Sequence, residues 1–267
     1  CGRSARHLND LQDAREKLLQ AAELERRNLD FRIELAEVLR DLGEDAEAAV
    51  HFKKASTLAP KRADLHFESG RALFRSGRLD EAREALSVSL KLDPERAEAH
   101  YYLGRLEEAA DRKVEASERY RACLDLDPSN WRALQHLGGL LRRSGRNREA
   151  CRLLQQALDS GPEEGATATL CYELGCALQA LGHLEEAATR LALAEEKGSR
   201  EVDIPLRRGL ALFEGGQVGL AEAEYIRAMA THPRPAEVRY RLAQLYAAQG
   251  QFAPALHRIR EALQESP

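Results

Sequence analysis

Three recurring features predict an all-α fold built as a solenoid of antiparallel helical hairpins. Prolines recur every 34 residues, one position of every repeat is alanine, and glycine recurs at two further positions. The 34-residue spacing links Pro60, Pro94, Pro128 and Pro162, and the same spacing links Pro233 to Pro267. A fixed period of this length is the signature of a stacked array in which each unit is a small group of helices.

The composition supports a helical core, and it argues against nucleic-acid binding and against a membrane-spanning helix. Hydrophobic residues make up 43% of the 267 residues and charged residues make up 31%. The formal net charge is −4, whereas a dedicated nucleic-acid binder is usually basic. No stretch approaches the roughly 18 consecutive apolar residues of a membrane-spanning helix. We therefore expect neither nucleic-acid binding nor a spanning helix.

Seven repeats align when Ala63 is counted as the first position of one of them. Position 20 is then always alanine, at Ala48, Ala82, Ala116, Ala150, Ala187, Ala221 and Ala255. Position 8 is always small, at Ala36, Gly70, Gly104, Gly138, Gly175, Gly209 and Ala243. Position 27 is also small, at Ala55, Ser89, Cys123, Ala157, Ala194, Ala228 and Ala262. Since helices approach closely only where side chains are small, these positions predict the contact between the helices.

Each repeat is expected to contain two helices with defined ends. Glycine at position 15 predicts a left-handed cap after the first helix, at Gly43, Gly77, Gly145, Gly182, Gly216 and Gly250, with Asp111 as the exception. Proline at position 32 cannot continue the second helix. We expect position 8 to face position 20, and bulky side chains at position 24 to fill the remaining space, namely Phe52, Leu86, Tyr120, Leu154, Leu191, Tyr225 and Ile259.

The alignment divides the chain in order. Residues 1–9 are short and polar and are expected to form a tether, and residues 10–28 to form a half repeat that contains only a second helix. Full repeats follow at 29–62, 63–96, 97–130, 131–167, 168–201, 202–235 and 236–267. The fourth has three extra residues, expected in a loop over 161–167, and Pro205 is expected to delay the start of a helix in the sixth.

The last repeat ends at Pro267 without the polar capping helix that usually closes a repeat array. Leu242, Leu245 and Ile259 are therefore expected to leave an apolar edge. We expect this edge to be covered by a partner or by a second copy, or the chain to continue further.

These positions resemble the tetratricopeptide repeat family over about residues 29–267. The shared features are the 34-residue length, small residues at 8, 20 and 27, a bulky residue at 24 and proline at 32. Position 4 departs from the family's usual tryptophan, with Arg32, His66 and His100 in the first three repeats. The resemblance implies a right-handed superhelix whose concave face is lined by the first helices, at positions 2, 5, 9 and 12.

The groove positions implied by the resemblance hold aromatic and arginine side chains, which are common at protein-binding hot spots. The candidate groove residues are Phe67, Arg71, Phe74, Tyr101, Arg105, Tyr172, Phe213 and Tyr240. The first five are the preferred patch, suited to a peptide with an acidic residue. The alternative is packing, because position 5 also touches the neighbouring hairpin. The carboxylate clamp of chaperone-binding family members is not expected, because no lysine stands at position 5 and no asparagine at position 9.

The first residue suggests a lipid anchor. Cys1 followed by Gly2 resembles the mature start of a bacterial lipoprotein, in which the cysteine carries acyl chains that anchor the protein stably. Gly2 is not the aspartate that retains many such proteins at the inner membrane, so the periplasmic face of the outer membrane is the expected location. The alternatives are a chain trimmed at this residue, or removal of an initiator methionine.

No cofactor, metal site or catalytic group is expected. The sequence has no Cys-x-x-Cys or His-x-x-x-His spacing and no phosphate-binding glycine loop. A bridge between Cys151 and Cys171 is one possibility in an oxidising compartment. His66 and His100 share a repeat position and are expected to pack near each other rather than to bind a metal.

The sequence favours a non-enzymatic scaffold for protein–protein interaction, as a lipid-anchored periplasmic subunit or assembly factor of a cell-envelope complex. Its partners are expected in the concave groove and at the C-terminal end. Two alternatives remain open, a cytoplasmic adaptor and the repeat segment of a larger protein or enzyme.

Overall fold

The computed structural model describes the backbone of residues 2–265, and it describes the side chains except those of 2–9, 164 and 265. Within residues 2–265 the fold is all-α, with fifteen helices and no strand, which confirms the predicted fold class. The chain divides into two compact units, 1–128 and 129–267. Each unit is a stack of antiparallel helical hairpins.

The first unit holds a single helix followed by three hairpins. The helices are α1 (Gly2–Leu24), α2 (Leu29–Asp41), α3 (Asp45–Leu58), α4 (Ala63–Arg75), α5 (Leu79–Leu92), α6 (Ala97–Ala109) and α7 (Lys113–Leu126). Each helix packs on the next along the chain, and α4 also touches α6. Because neighbouring hairpins stack in this way, apolar side chains from α1 to α6 merge into one buried cluster.

The second unit holds four hairpins. The helices are α8 (Trp131–Arg143), α9 (Asn147–Asp159), α10 (Glu164–Ala180), α11 (Leu184–Glu196), α12 (Ile204–Glu214), α13 (Val218–Thr231), α14 (Pro235–Ala248) and α15 (Phe252–Glu265). The first helices of successive hairpins, α8, α10, α12 and α14, also touch one another in order. This arrangement places the first helices side by side along one face of the unit.

The predicted left-handed caps are confirmed. All six glycines at position 15 have positive φ, between 75° and 81°. Asp111 fills the same position in the third repeat, and it is the only described residue other than glycine with positive φ, at 57°. The turn therefore requires the left-handed conformation whether or not the residue is glycine.

Position 8 meets position 20, as predicted, and it also meets the bulky residue at position 24. A Cβ atom added at Gly70, Gly104, Gly138, Gly175 or Gly209 would lie 2.5–2.8 Å from the side chain at position 24 of the same hairpin. Added at Gly70 or Gly175, it would also lie 3.2 or 3.3 Å from the backbone carbonyl oxygen of the position-20 alanine. The small residue at position 8 therefore makes room both for the backbone of the second helix and for the position-24 side chain.

The predicted boundaries differ from the observed helices in two places. The three extra residues of the fourth repeat do not extend a loop, because α10 begins at Glu164 and is 17 residues long, against 11 to 14 for α2–α9 and α11–α15. Residues 2–9 continue α1 instead of forming a separate tether, since they contain no proline and no glycine beyond Gly2. Cys1 lies outside the described residues. In α12, Pro205 is the second residue, in agreement with a delayed start.

Of the residues predicted to form the apolar edge of the last hairpin, only Ile259 is exposed. Leu242 and Leu245 are fully buried, because α14 is covered by α13 and α15. The exposed apolar side chains lie on α15, at Phe252, Leu256, Ile259 and Leu263. Their spacing of three and four residues places them on one face of the helix.

Candidate functional site

The predicted patch of the first unit is brought together on α4 and α6, around a residue that the sequence analysis missed. The Tyr102 ring packs edge-on against three others, with centroid distances of 5.9 Å to Phe67, 5.5 Å to Phe74 and 5.2 Å to Tyr101. These separations are typical of favourable edge-to-face aromatic pairs. We call these four rings, together with Arg71, Arg96 and Arg105, the aromatic patch.

Three arginines lie over the rings of the aromatic patch. The guanidinium carbons of Arg71 and Arg96 are 5.7 and 5.3 Å from the centroid of Phe67, and that of Arg105 is 5.4 Å from Phe74. These distances fall within the range of cation–π attraction. Arg105 also donates a hydrogen bond of 3.0 Å to the Tyr101 hydroxyl. Aromatic and cationic groups are therefore held in a fixed arrangement.

Exposure divides the patch into a buried base and an accessible surface. Phe67 and Tyr101, both at position 5, are only 5% and 7% exposed, so they pack mainly against the neighbouring hairpin. Phe74, Tyr102 and Arg105 are half-buried, so part of each side chain is accessible to solvent. Phe67 and Tyr101 therefore serve mainly in packing between hairpins. The surface available to a ligand is formed by Phe74, Tyr102 and Arg105.

The charges of the aromatic patch are partly compensated within the protein. Arg71 donates a 2.5 Å hydrogen bond to Glu68, whose carboxylate also lies 3.5 Å from Arg40. Arg96 pairs with Asp93 at 3.1 Å. The side chains of the Arg71–Glu68 and Arg96–Asp93 pairs are 23–38% exposed, so water reaches both pairs and an acidic group of a ligand can compete for these arginines.

Tyr102 and Arg96 could have been found from the sequence only by widening the search beyond the four groove positions. Tyr102 stands at position 6, directly after the candidate Tyr101, and the Tyr-Tyr pair is visible in a chain with few aromatics. Arg96 is the residue before α6, and nothing in its position signals the contact with Phe67.

Tyr172 belongs to an internal network of the second unit. It is buried, its hydroxyl donates to Asp203 at 3.0 Å, and Arg207 lies over its ring at 5.7 Å. Arg207 also donates to Asp203 at 2.5 Å, and burial raises the pKa of Tyr172. This residue therefore ties α10 to the start of α12, and it presents little free surface.

The two remaining candidates lie further along the second unit. Phe213, near the end of α12, is half-buried. Tyr240 on α14 is 50% exposed, with Arg241 at 5.9 Å from its ring and a hydrogen bond of 3.2 Å from Gln244 to its hydroxyl. Tyr240 is therefore the most exposed of the three candidate residues of this unit.

The cysteines carry no reactive or metal-binding arrangement in the described part of the chain. Cys123, Cys151, Cys171 and Cys176 are free thiols, and burial raises the pKa of each. The suggested bridge between Cys151 and Cys171 is not formed in the structure, in which both are free thiols. Among the residues with described side chains, no group of three or more His, Cys, Asp or Glu could hold a metal ion.

Position 4 has a common structural role in the first unit. His66 and His100 make matching contacts in successive repeats. Each places its Nε2 atom near the carbonyl oxygen of the proline six residues earlier, at 3.1 and 3.3 Å. Arg32 does the same with the carbonyl of Arg26, at 3.2 Å from its Nη2 atom. The side chain at this position therefore contacts a carbonyl oxygen in the turn that follows the preceding helix.

The repeat geometry and the comparison with protein families together assign the chain to a family. A model of the tetratricopeptide repeat matches residues 2–63, 48–97, 67–130, 115–165, 172–237 and 206–267. The chain belongs to the tetratricopeptide repeat family. It is therefore a repeat scaffold of the kind that holds other proteins. No curated protein matches the chain significantly.

Several solved structures of tetratricopeptide repeat proteins share the fold. YrrB, described as having an unusual peptide-binding site, is 23% identical with a TM-score of 0.62, over 68% of this chain and 93% of its own. PilF of Pseudomonas aeruginosa is 20% identical with a TM-score of 0.59, over 77% and 92%. PilW, described as a type IV pilus biogenesis factor, is 16% identical with a TM-score of 0.58, over 76% and 93%. At these identities the likeness is one of fold.

Within residues 2–265 no helix combines the length and the apolar character that a membrane crossing needs.

Proposed function

We propose that the aromatic patch is the principal protein-binding surface of this scaffold. The observation that carries the proposal is the cluster of four rings and three guanidinium groups on α4, α6 and the residue that precedes α6, in a chain with only 5% aromatic residues. Aromatic and arginine side chains dominate the energetics of protein interfaces. The partner segment is expected to combine an apolar side chain, placed against Phe74 and Tyr102, with a carboxylate near Arg105.

The accessible residues give the sharpest test of this surface. A partner is first identified by purification of the native protein together with what binds it, and its affinity is then measured by calorimetry. We expect the double variant Phe74→Ala/Arg105→Ala to weaken binding at least about tenfold, equal to roughly 1.4 kcal/mol. Both residues are half-buried, so circular dichroism and thermal unfolding first establish that the variant is folded.

A matched control lies on α7. Val114→Ala/Arg121→Ala also removes one apolar group and one guanidinium group, but from exposed positions of a second helix. This control is expected to bind like the unaltered protein. Equal affinity of the patch variant and the control would overturn the proposed surface.

We propose further that the scaffold serves a cell-envelope complex, as a lipid-anchored subunit or assembly factor on the periplasmic side of the outer membrane. The support is its fold-level likeness to PilF of P. aeruginosa and to PilW, a pilus biogenesis factor. Mass spectrometry of the protein from its native membrane should find acyl groups on Cys1. An unmodified amino terminus would favour the cytoplasmic adaptor instead.

The exposed apolar face of α15 is a second surface for a partner. Phe252 and Leu263 are 68% and 61% exposed, and they lie on the same side of the helix as Leu256 and Ile259. Contiguous apolar surface of this kind marks interaction sites in soluble proteins. We propose that a partner or an adjoining helix covers it, in addition to the groove.

A further inference from the structure

A cavity of about 410 Å³ lies between α1, α2 and α3, at the start of the first unit and away from the aromatic patch. Its polar lining consists of Arg26, Arg32, Lys54, Glu23 and His51. Leu19 and Ala22 supply apolar wall. The volume falls in the range of pockets that hold small organic ligands, which is roughly 300–1,000 Å³.

Arg32 is the central cation of this cavity, and it is buried without a carboxylate. It is only 8% exposed. Its Nε and Nη2 atoms donate to the Arg26 carbonyl oxygen at 3.4 and 3.2 Å, and its Nη1 atom lies 3.4 Å from Nδ1 of His51. Among the residues with described side chains, no carboxylate lies within ion-pair distance of Arg32. Buried charges are ordinarily paired with an opposite charge. Arg32 departs from this rule, because its guanidinium group has no carboxylate as a counter-ion among the described side chains.

The contact of Arg32 with the Arg26 carbonyl oxygen does not require a positively charged side chain. His66 and His100 make the same contact at the same repeat position in the next two hairpins. Burial lowers the pKa of His100, so a neutral side chain suffices for this structural role. The positive charge at Arg32 is therefore additional to what the position requires.

The electrostatics of the cavity are positive. Burial, together with the nearby Lys54 and Arg32 cations, lowers the pKa of His51 to about 4, while Glu47 opposes them. At neutral pH the imidazole is thus uncharged, and Nδ1 can accept a hydrogen bond from Arg32 in the matching tautomer. Three cations, Arg26, Arg32 and Lys54, remain around the cavity against the single carboxylate of Glu23.

We propose that this cavity binds a small organic anion, whose carboxylate or phosphate group lies between Arg32 and Lys54 and whose apolar part lies along Leu19 and Ala22. Guanidinium groups are suited to both kinds of anion, because their planar donors match two oxygens at once. The site is separate from the proposed protein-binding surface, and occupancy would join α1 to the first hairpin.

His51 provides a direct readout of an anion in the cavity. Its imidazole titration is followed by NMR in the full-length protein, without ligand and with phenyl phosphate, benzoate or inorganic phosphate. An anion within about 4–6 Å favours the charged imidazole, so saturation with phenyl phosphate or benzoate should raise the pKa of His51 by about 1 or more. The two probes distinguish phosphate from carboxylate as the preferred group.

Two variants separate binding from folding. Arg32→His retains a side chain that the neighbouring repeats use for the carbonyl contact, and Lys54→Gln changes an exposed residue at the rim. Each is expected to weaken phenyl phosphate binding at least tenfold while the helical content stays unchanged. The control Lys61→Gln removes an exposed cation outside the cavity and should bind like the unaltered protein.

Three results would overturn the proposal. One is a His51 titration that does not move with millimolar phenyl phosphate or benzoate. Another is unchanged affinity in both Arg32→His and Lys54→Gln, which would place the anion elsewhere. The third is inorganic phosphate binding as tightly as phenyl phosphate, which would show that the apolar wall takes no part.

Discussion

At the scale of single residues, Asp111 shows how the turn geometry dominates residue choice. It occupies the cap position that glycine fills in the other six full repeats, and it adopts φ of 57°. An L-residue in this conformation is strained by roughly 1–2 kcal/mol, with a lower cost for aspartate and asparagine. Its ion pair with Lys113 joins two exposed side chains, which contributes little.

We therefore expect Asp111→Gly to stabilise the protein by about 0.5–1 kcal/mol, as relief of strain exceeds the added flexibility of the unfolded chain. The measurement is the midpoint of urea unfolding with an unchanged m-value. The reverse change, Gly145→Asp, should destabilise by a similar amount. A loss of stability in Asp111→Gly would show that its side chain matters more than its backbone.

His51 predicts a specific pH dependence of stability. Its pKa is lowered to about 4 in the folded protein, so the unfolded chain binds the proton more tightly. Stability is therefore complete above about pH 6.5, and it is lost as the pH falls towards 4, by up to about 3 kcal/mol. The charged groups facing the ring are Lys54, Arg32 and Glu47.

The measurement for His51 is urea unfolding at several pH values between 4 and 7. His51→Gln should show a flatter pH profile than the unaltered protein, since other groups such as His100 titrate in both. Parallel profiles would contradict the depressed pKa of His51.

At the scale of the helical hairpin, two adjacent glycines of α8 allow the effect of packing to be distinguished from the effect of helix propensity. A Cβ at Gly138 would lie 2.8 Å from Cγ of the fully buried Leu154. A Cβ at Gly139 would meet only the far end of the Arg143 side chain, at 3.3 Å. The first contact requires the two helices to move apart, whereas the second requires a small shift of one side chain.

Gly138→Ala is accordingly expected to destabilise the protein by about 1–2 kcal/mol, because overpacking exceeds the gain in helix propensity. Gly139→Ala should be neutral or stabilising by up to about 1 kcal/mol. Thermal and urea unfolding of the pair checks the difference. Equal effects of the two changes would contradict the close packing of position 8 on position 24.

The hairpins also show what the sequence could and could not predict. The proline and glycine period gave the helix ends and the caps, because these depend on local backbone conformation. The contact of position 8 with the bulky position 24 was missed, since a period shows which positions are small but not every side chain that each one meets. The central place of Tyr102 depends on α4 packing against α6, and the arginine contacts depend on side-chain conformation, neither of which a repeat pattern specifies.

The loop expected at 161–167 was also wrong, for a local reason. The glycine and proline at 161 and 162 predict a turn, but Glu164 to Thr167 are compatible with a helix and extend α10. Extra residues in a repeat can therefore lengthen a helix as readily as a loop.

At the scale of the whole molecule, the family assignment makes this chain a protein-interaction scaffold, and the open question is which surface is used. The first unit concentrates rings and guanidinium groups in the aromatic patch. The second unit instead uses Tyr172 in an internal network and exposes Tyr240 and the apolar face of α15. The cavity between α1, α2 and α3, for which we propose anion binding, is a third candidate site, and cationic side chains predominate in its lining.

The most direct test of the proposed protein-binding surface is site-specific photo-cross-linking in the native cell. A photoreactive phenylalanine analogue placed at Phe74, within the aromatic patch, should cross-link to a defined protein that mass spectrometry identifies. The same analogue at Val114, which is 70% exposed on α7, should not cross-link to that protein. A partner captured equally from both positions, or from Val114 alone, would contradict the central claim that the aromatic patch binds the partner.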